Sequence, residues 1–332
     1  MEKRYLGNSG IEVSPIGFGA WAIGGWQWGG ADRRDALNAL HACLDLGITT
    51  IDTAPVYGFG YSEKLVGEAI KGKREKFQIL TKFGLRWDTD RGEYFFNTED
   101  EKGNALEIRK YASRHSIMRE CDESLKRLGI DYIDLYQIHW PDKTTPIAES
   151  MEAVIRLMEQ GKIRAAGVSN YSVEQMLEAS GTVSLASNQL PYSMVRRDIE
   201  KDIVPWCTDN NCAIIAYSPL QRGLLSGKIT PDYPFNPGDS RPETPYFRIN
   251  NIIRTNIFLD KIKPLALEKN IKLSQLVLQW TISQPGITLA LSGGRNPAQV
   301  KENAGALAVS LTGEEMTFIN NEIDKLNLDL QP

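Results

Sequence analysis

The sequence predicts an α/β protein whose strands and helices form a (β/α)8 TIM barrel. Short runs of apolar, β-branched residues alternate with segments of helical periodicity, which is typical of a parallel sheet. Eight such runs follow one another from Ile16 to Leu291, and this number favours a closed barrel over an open sheet. The length of 332 residues suits one barrel, and no linker of different composition interrupts it. We therefore expect a single domain over residues 1–332.

The barrel strands are predicted from the apolar runs and the turn residues that flank them. They lie at residues 16–19, 49–51, 77–80, 132–136, 164–168, 185–190, 213–217 and 287–291. Helical periodicity predicts helices within residues 33–46, 62–70, 116–128, 146–159, 172–179, 203–208, 273–283 and 297–306, and a terminal helix over 312–326. We expect Asp32, Ser62 and Ser116 to cap the first three helices, because their side chains accept hydrogen bonds from free backbone amides.

Several segments lie outside the repeating pattern. Residues 5–13 are predicted to form a small N-terminal β-hairpin that caps the barrel. Residues 21–30, 85–115 and 219–250 are long connections that follow predicted strands, so they are expected as long loops on the C-terminal face. Connections on that face build binding sites in barrels, and we expect these three to form walls or lids.

Charge and composition argue against several classes of function. The formal net charge of −4 and the pI of about 5.6 give no electrostatic reason to expect nucleic acid or a membrane surface as a partner. The first residues are too polar for a signal peptide, and no apolar run approaches the roughly 20 residues of a membrane-spanning helix. The cysteines form no C-x-x-C pair, so we expect free thiols, no metal site and a cytoplasmic protein: Cys43, Cys121, Cys207 and Cys212.

Four chemically active side chains are predicted to meet at one end of the barrel. Asp52, Tyr57, Lys82 and His139 each lie at or just beyond the C-terminal end of a predicted strand. In a parallel barrel those ends converge on the face where active sites form. The sequence therefore predicts a carboxylate, a phenol, an amine and an imidazole in one place.

These side chains together can protonate an oxygen atom. The ordinary pKa of a phenol, about 10, is too high for efficient proton donation at neutral pH, and a nearby ammonium lowers it. We expect Lys82 to lower the pKa of Tyr57 in this way while Asp52 holds Lys82 charged. His139 can orient a carbonyl by a hydrogen bond. The chain offers no G-x-S-x-G elbow and no Cys–His pair, so the attack on carbon must come from a cofactor, and hydride from a nicotinamide fits.

The sequence carries no conventional dinucleotide-binding fingerprint, so the phosphates of a cofactor must bind elsewhere. A barrel can bind phosphates with the loops after its seventh and eighth strands. After the seventh strand, residues 217–220 are followed by Arg222, Gly223 and Lys228. After the eighth, small residues precede Arg295, which stands next to a predicted helix start. Both loops therefore combine cations with small residues that let the backbone approach an anion.

Several short motifs occur in the order typical of one enzyme family. They include Asp52-Thr53-Ala54-x-x-Tyr57-Gly58, Thr81-Lys82, His139-Trp140-Pro141-Asp142, Gly167-Val168-Ser169-Asn170 and Tyr217-Ser218-Pro219-Leu220. From about residue 3 to residue 325 the chain resembles the aldo-keto reductase family. It looks most like the bacterial general reductases that act on small aldehydes, dicarbonyls and sugars. The resemblance implies a (β/α)8 barrel and reversible, NAD(P)H-dependent reduction of a carbonyl group to an alcohol.

The resemblance also implies catalytic roles. Tyr57 would be the general acid, and Lys82 and Asp52 would tune it. His139 would orient the carbonyl of a small-molecule substrate. Large aromatic side chains are the expected walls of the substrate pocket: Trp21, Trp87 and Trp140.

Cofactor ligands follow from the same resemblance. Those at the nicotinamide would be Ser169, Asn170, Gln189 and Tyr217. Those along the pyrophosphate would be Ser218, Leu220, Gly223 and Lys228, and those at the adenosine end Gly293, Arg295, Gln299, Glu302 and Asn303. Many members of the family carry an arginine where this chain has Gln299, and that arginine helps to bind the 2′-phosphate. Arg295 can substitute for it, so NADPH is the expected cofactor, with NADH possible.

Two other functions are compatible with the same fold. Barrels of this family also serve as cofactor-binding regulatory subunits of membrane ion channels, with little turnover. A barrel aldolase would use Lys82 as a Schiff base. The sequence contains no basic, membrane-directed segment, which favours the reductase over the channel subunit. It leaves the oligomeric state open.

Overall fold

The computed structural model describes residues 2–100 and 102–331. Its strands, in chain order, are β1 (Arg4–Tyr5), β2 (Glu12–Val13), β3 (Ile16–Gly19), β4 (Thr50–Asp52), β5 (Gln78–Phe83), β6 (Leu85–Arg86), β7 (Glu93–Glu99), β8 (Ala105–Lys110), β9 (Ile133–Ile138), β10 (Ile163–Ser169), β11 (Leu185–Pro191), β12 (Ala213–Tyr217) and β13 (Ile287–Ser292).

Eight of these strands close into a parallel barrel, which confirms the predicted (β/α)8 fold. Their order around the barrel is β3-β4-β5-β9-β10-β11-β12-β13, and β13 is hydrogen bonded back to β3. The register places Lys82 of β5 beside Gln137 of β9, and Ser169 of β10 beside Gln189 of β11. Polar residues at the C-terminal ends of neighbouring strands therefore stand side by side.

The helices surround the barrel. They are α1 (Arg33–Asp45), α2 (Tyr61–Ile70), α3 (Arg114–Leu128), α4 (Ile147–Glu159), α5 (Val173–Ser180), α6 (Ile203–Asp209), α7 (Ile249–Glu268), α8 (Leu273–Ile282), α9 (Pro297–Ala304) and α10 (Gly313–Ile323). Within the described ranges, none of them combines the length and the apolar character that are needed to cross a bilayer.

The helix starts agree with the prediction in α1 and differ from it in α3. Asp32 caps α1, and its Oδ1 accepts a hydrogen bond from the amide of Asp35 at 2.8 Å. Helix α3 begins earlier than predicted, because Ser113 rather than Ser116 is its cap. Ser116 lies inside the first turn and donates from Oγ to Glu120 Oε1 at 2.8 Å. The sequence has a serine at both positions, and the prediction chose the later one.

The hairpin of β1 and β2 lies against the N-terminal end of the barrel. Its apolar side chains pack on residues inside the barrel: Leu6, Ile11 and Val13 against Leu80, Leu135, Ala165, Ala213, Ile215 and Leu289. Arg4 Nη1 donates to the carbonyl oxygens of Ile282 and Ile287 at 2.8 and 3.1 Å. The hairpin therefore covers the end of the barrel opposite to the predicted site.

The long connection after β5, over residues 85–115, contains a small antiparallel sheet, a conformation that the sequence left open. Strands β6, β8 and β7 pair in that order, with β7 at the edge. The residues of β7 and β8 alternate between partly buried and exposed positions, and only Ile108 is fully buried. The sequence lacks the apolar run of a core strand, so these strands gave no clear signal.

The connection after β12 ends at Arg248, within two residues of the predicted end, and α7 begins at Ile249. It contains three short 3-10 turns, at Gln221–Ser226, Arg241–Glu243 and Pro245–Phe247. The sequence did not predict α7. Ile249, Ile253 and Ile257 are exposed on its outer face, and this blurs the apolar periodicity of an amphipathic helix.

Candidate active site

A buried ion pair lies at the C-terminal end of the barrel. Asp52 ends β4 and Lys82 lies in β5, and their side chains are only 3% and 0% exposed. Lys82 Nζ contacts Asp52 Oδ1 at 2.5 Å and donates to the carbonyl oxygen of Thr53 at 3.0 Å. Removing either charge from water is costly, so each requires the other. The two contacts fix the Lys82 ammonium in one position.

The phenol of Tyr57 lies directly against this ion pair. Lys82 Nζ donates to Tyr57 Oη at 3.3 Å. His139 follows β9, and its ring meets the Tyr57 ring edge-on, with 5.7 Å between the ring centres. The structure therefore brings the four predicted catalytic residues together: Asp52, Tyr57, Lys82 and His139.

The loop that carries Tyr57 is fastened to the segment after β3. Gly58 has a φ of +64°, and a Cβ at this residue would lie 2.3 Å from the carbonyl oxygen of Gly24. Ser62 does not cap α2 as predicted but lies inside its first turn, where Oγ donates to the carbonyl oxygen of Ala20 at 2.8 Å. Two backbone segments thus touch without side chains between them, and this contact sets the position of the phenol.

We expect Gly58→Ala to destabilise the protein by about 1–3 kcal/mol more than Gly10→Ala, because overpacking a rigid contact costs that much. The two glycines have similar φ values, +64° and +69°, so alanine loses a similar amount of stability at both positions by adopting a left-handed conformation. Nothing lies within 4 Å of a Cβ at Gly10, whereas a Cβ at Gly58 meets backbone. Chemical denaturation measures both free energies of unfolding. Equal decreases in the free energy of unfolding of the two variants would show that the backbone at Gly24 can move away from the added methyl group at no cost.

Tyr57 and His139 are neutral in the free protein. Burial raises the pKa of Tyr57 well above its ordinary value, and the charge of Asp52 raises it further. The expectation that Lys82 lowers this pKa is therefore wrong for the free protein, because the loss of water outweighs the ammonium. Burial lowers the pKa of His139 well below 6.5, and Lys82 adds to the effect. At neutral pH the phenol has a proton to give, and the imidazole can donate one hydrogen bond.

A chain of hydrogen bonds continues from Asp52 across the next strands. Gln189 Nε2 donates to Asp52 Oδ2 at 2.8 Å, which leaves the Gln189 oxygen to accept from a ligand. Ser169 Oγ donates to the carbonyl oxygen of Gln189 at 2.9 Å, and Asn170 Nδ2 donates to Ser169 Oγ at 3.0 Å. Tyr217 Oη donates to Asn170 Oδ1 at 3.0 Å. The four residues predicted at the nicotinamide therefore form one connected group.

The turn after β12 holds several residues in the left-handed conformation. The φ angles are +56° at Ser218, +45° at Gln221, +54° at Arg222 and +98° at Gly223. Non-glycine residues in this region cost about 1–3 kcal/mol each and cluster at ligand sites. The turn contains three of the predicted pyrophosphate ligands, since Leu220 lies between these positions. The strain is an observation that favours a binding role for this backbone.

Two lysines and a glutamate face each other at the predicted adenosine end of the cavity. Lys228 Nζ lies 3.0 Å from Glu302 Oε1, and Lys272 Nζ lies 2.9 Å from Oε2. Ser274 Oγ donates to Glu302 at 2.6 Å. Burial acts to raise the pKa of Glu302, but the hydrogen bonds from Ser274, Lys272 and Lys228 outweigh it and lower the pKa to about 2. Lys228 is therefore engaged with Glu302 in the free protein.

The start of α9 holds the remaining predicted adenosine ligands. Gln299 Oε1 accepts from the backbone amide of Arg295 at 2.8 Å, and Asn303 Nδ2 donates to the carbonyl oxygen of Gly293 at 2.9 Å. Gln299 therefore shapes the turn. In the described part of the chain the guanidinium of Arg295 has no ion-pair partner, so it is available to a ligand.

A cavity of about 510 Å³ joins all these positions. Asp52, Tyr57 and His139 line it, while Lys82 lies behind them, fully buried. Every predicted cofactor ligand lines it as well: Ser169, Asn170, Gln189, Tyr217, Ser218, Leu220, Gly223, Lys228, Gly293, Arg295, Gln299, Glu302 and Asn303. The cavity is large enough to bury a substantial ligand, and its polar groups lie at defined points along it.

Two of the three predicted aromatic walls line the cavity. Trp21 stacks on Tyr57, with 6.0 Å between ring centres, and Trp140 stands beside His139. Trp87 is not among the residues that line the cavity. Its ring packs against Phe59 at 5.3 Å, outside the cavity lining. It follows β6, and its side chain supports the wall from behind.

A β-bulge adds two aromatic residues to the cavity wall, Phe95, which the sequence offered as a weaker candidate, and Phe96, which it did not. The pairing of β7 with β8 shifts between Tyr94 and Phe96, which leaves Phe95 as an extra residue. Phe95 and Phe96 consequently both line the cavity, although consecutive residues of a regular strand face opposite sides. Phe95 packs on Trp140, with 5.2 Å between ring centres. The alternating pattern of a regular strand therefore does not predict that both rings face the cavity.

Two long connections meet across the groove, and this contact was not predicted. Trp28 and Asp239 form an isolated antiparallel bridge. Arg241 Nη2 pairs with Asp239 Oδ2 at 2.6 Å, and Arg222 and Arg241 both line the cavity. The sequence contains no signal for a bridge between residues so far apart. Arg222 was noted only as a cation near a phosphate loop.

Comparison with known proteins agrees with the motifs. A sequence profile of the aldo/keto reductase family matches residues 15–324. Aldo-keto reductase YhdN of Bacillus subtilis (strain 168) is 40% identical over 329 residues, which are 98% of this chain and 94% of the relative. The NADH-specific methylglyoxal reductase of Escherichia coli (strain K12) is 37% identical over 332 residues, 98% of this chain and 99% of the relative.

A solved structure extends the agreement to three dimensions. The glycerol dehydrogenase from Gluconobacter oxydans superposes with a TM-score of 0.87 and 38% sequence identity, covering 98% of this chain and 95% of that chain. The match of the profile, the relatives and the fold over nearly the whole length confirms the resemblance that the motifs indicated. The chain therefore belongs to the aldo/keto reductase family of NAD(P)H-dependent oxidoreductases.

Proposed function

We propose that this chain reduces the carbonyl group of a small molecule to an alcohol, with Tyr57 as the proton donor. The observation that carries the proposal is the position of Tyr57 Oη, 3.3 Å from Lys82 Nζ and beside His139 in the cavity wall. The left-handed turn at Ser218 and the hydrogen-bonded group that ends at Tyr217 fit a dinucleotide. When bound, its nicotinamide supplies the hydride that no side chain can.

Each catalytic side chain has a distinct task in this proposal. His139, as a neutral imidazole, donates a hydrogen bond to the carbonyl oxygen and holds it near Tyr57 Oη. Tyr57 gives its proton to that oxygen. Lys82 Nζ stabilises the phenolate as the proton leaves, and Asp52 keeps Lys82 charged and in place. In the reverse direction the same groups take the proton back.

The cofactor ligands are proposed at the positions that line the groove. Ser169, Asn170 and the oxygen of Gln189 would bind the nicotinamide carboxamide, and Tyr217 would stack on the ring. The pyrophosphate would lie on the turn that contains Ser218, Leu220 and Gly223, near Lys228. The adenosine end would be surrounded by Gly293, Arg295, Gln299, Glu302 and Asn303.

We expect Arg295→Gln to weaken NADPH binding by about 10-fold or more and NADH binding much less, because a hydrogen bond to a charged group contributes about 1.5–3 kcal/mol. The free guanidinium of Arg295 makes NADPH the proposed cofactor, although the Escherichia coli relative is named for NADH. Quenching of tryptophan fluorescence measures both dissociation constants. Lys301→Gln is the control, because Lys301 is an exposed cation on α9, the helix that follows Arg295. Equal weakening of both cofactors would contradict a 2′-phosphate contact.

The first test of the function is oxidation of NADPH, then of NADH, by the purified chain with methylglyoxal or butanal. The reductase proposal expects turnover with no partner chain present. Cofactor binding with no turnover over a broad panel of carbonyls would favour a channel-subunit role instead. Borohydride trapping of an aldehyde on Lys82 would indicate a Schiff base and an aldolase.

We further propose a cytoplasmic enzyme that forms a single domain over residues 1–332 and takes a small-molecule carbonyl compound as its substrate. The cysteines of the chain are free and buried, which fits a reducing compartment. The acidic charge balance gives no support for nucleic acid as a partner.

A further inference from the structure

Arg222 lines the cavity, and the nearby carboxylate of Asp239 pairs with Arg241 instead. In the part of the chain that the structure describes, Arg222 makes no ion pair. Its Nη2 donates to Ser240 Oγ at 2.9 Å and to the carbonyl oxygen of Gln27 at 3.4 Å, while its buried Nε has no acceptor. The neighbouring Arg241 differs, because its Nε and Nη2 both meet the carboxylate of Asp239.

The guanidinium of Arg222 stands close to the catalytic phenol. Its Cζ lies 5.1 Å from the ring centre of Trp21 and 5.1 Å from that of Trp28. Trp21 in turn stacks on Tyr57, with 6.0 Å between ring centres. Two ring contacts therefore separate the guanidinium from the reacting end of the cavity. A substrate whose carbonyl lies at Tyr57 can extend along Trp21 towards Arg222.

A buried guanidinium that forms no direct ion pair favours an anionic ligand, even though the charges of Asp239 and Glu243 act on Arg222 from a distance. Burial lowers the pKa of Arg222 to about 10, which still leaves the group charged at neutral pH. A buried charge that no carboxylate contacts directly is costly to the free protein. Arginine presents a planar fork of donors that matches the two oxygens of a carboxylate or phosphate. An anion from the ligand would supply the missing partner.

We propose that Arg222 recognises an oxyanion, a carboxylate or a phosphate, at the end of the substrate remote from its carbonyl group. The substrate class is then a short aldehyde or ketone that carries an acidic group. This inference rests on the proposed reduction at Tyr57. The pyrophosphate of the cofactor is a second source of the same chemistry, and the experiment separates the two.

The test compares aldehydes that differ by one acidic group. Succinic semialdehyde is butanal with a carboxylate in place of its methyl group, and 4-carboxybenzaldehyde with 4-methylbenzaldehyde forms a longer pair. The quantity measured is the ratio of kcat/KM for the acidic and the neutral aldehyde. In Arg222→Gln we expect this ratio to fall about 10- to 100-fold for at least one pair, because a charge-assisted hydrogen bond is lost. Effects on cofactor binding cancel in the ratio.

Two further variants show whether a change in the ratio of kcat/KM comes from the guanidinium of Arg222 itself. Arg222→Lys keeps the charge but loses the planar fork, so its ratio is expected between those of the wild type and Arg222→Gln. Arg156→Gln is the matched control, because Arg156 is exposed on α4 and pairs with Glu159. Its ratio is expected to equal that of the wild type. A ratio that stays within about threefold in Arg222→Gln overturns the proposal.

Two binding measurements keep the result independent of turnover. Calorimetry with the NADP⁺ complex compares 4-hydroxybutyrate with butan-1-ol, and Arg222→Gln is expected to lose the preference for the acid. If the preference survives, the inference fails even where the chain reduces aldehydes.

The second measurement is a fluorescence titration with NADPH alone, which shows whether Arg222 binds the cofactor instead. An NADPH affinity reduced tenfold with an unchanged preference would assign Arg222 to the pyrophosphate and overturn the proposal. Wild-type binding of the acid without turnover would instead count against the proposed reduction alone.

Discussion

Tyr57→Phe is expected to lower kcat for carbonyl reduction by about 10²- to 10⁴-fold, the usual contribution of a general acid. The substitution removes the hydroxyl and leaves the ring, which packs on Trp21 and His139. The lost hydroxyl has Lys82 Nζ as its hydrogen-bond partner in the described structure. Oxidation of NADPH under saturating substrate measures the effect, and single-turnover kinetics show that the chemical step has slowed.

The control for this variant is Tyr94→Phe. Tyr94 also lies on the C-terminal side of the barrel but is 50% exposed on β7, so its hydroxyl is not expected to affect turnover. Titration with NADPH is expected to give similar dissociation constants for both variants and the wild type. A Tyr57→Phe protein that binds cofactor, folds normally and keeps full turnover would refute the assignment of the proton donor.

Lys82→Met is expected to destabilise the protein by about 3–5 kcal/mol, because it leaves a buried carboxylate without its cation. Asp52 and Lys82 are almost completely buried, so water cannot replace the lost partner. The same substitution removes the group that stabilises the Tyr57 phenolate, and turnover is expected to disappear. Chemical denaturation measures the stability, and oxidation of NADPH measures the activity.

A second substitution separates the two effects of Lys82→Met. In Lys82→Met/Asp52→Asn neither member of the pair carries a charge, so most of the stability is expected to return while the protein stays inactive. The exposed pair of Lys162 and Asp122 gives a control, since Lys162→Met is expected to cost less than about 1 kcal/mol. A double variant as unstable as Lys82→Met alone would show that the carboxylate charge does not cause the loss.

The barrel could be predicted because its strands are read from local patterns. Each core strand is a short apolar run, and the order of runs and helices fixes a parallel sheet. The same reading predicted where reactive groups would meet. Lys82 and His139 are distant in sequence, but both stand near the C-terminal ends of neighbouring strands, β5 and β9.

The rest of the site depends on contacts that local patterns do not encode. The bridge between Trp28 and Asp239 joins two connections that are far apart in the sequence. The pKa of Tyr57 depends on how completely the folded chain excludes water, and burial outweighs the lysine beside it. Trp21 and Trp87 are the same residue type on similar connections, yet only Trp21 faces the cavity. Residue type alone cannot distinguish a side chain that lines the cavity from one that packs outside the lining.

The bulge in β7 shapes the cavity wall from a strand that carries none of the catalytic residues, so the wall and the catalytic residues can change independently. Asp52 and Lys82 stand on strands that are hydrogen bonded on both sides, so a change of length there would disturb the whole barrel. Phe95 and Phe96 stand on an edge strand, and one extra residue decides that both face the cavity. Deleting that residue would restore alternation and turn one ring away from the cavity without moving the reacting groups. The shape of the substrate pocket and the chemistry of the site therefore rest on different strands, so we expect a one-residue deletion in β7 to change substrate preference more than the rate of the chemical step.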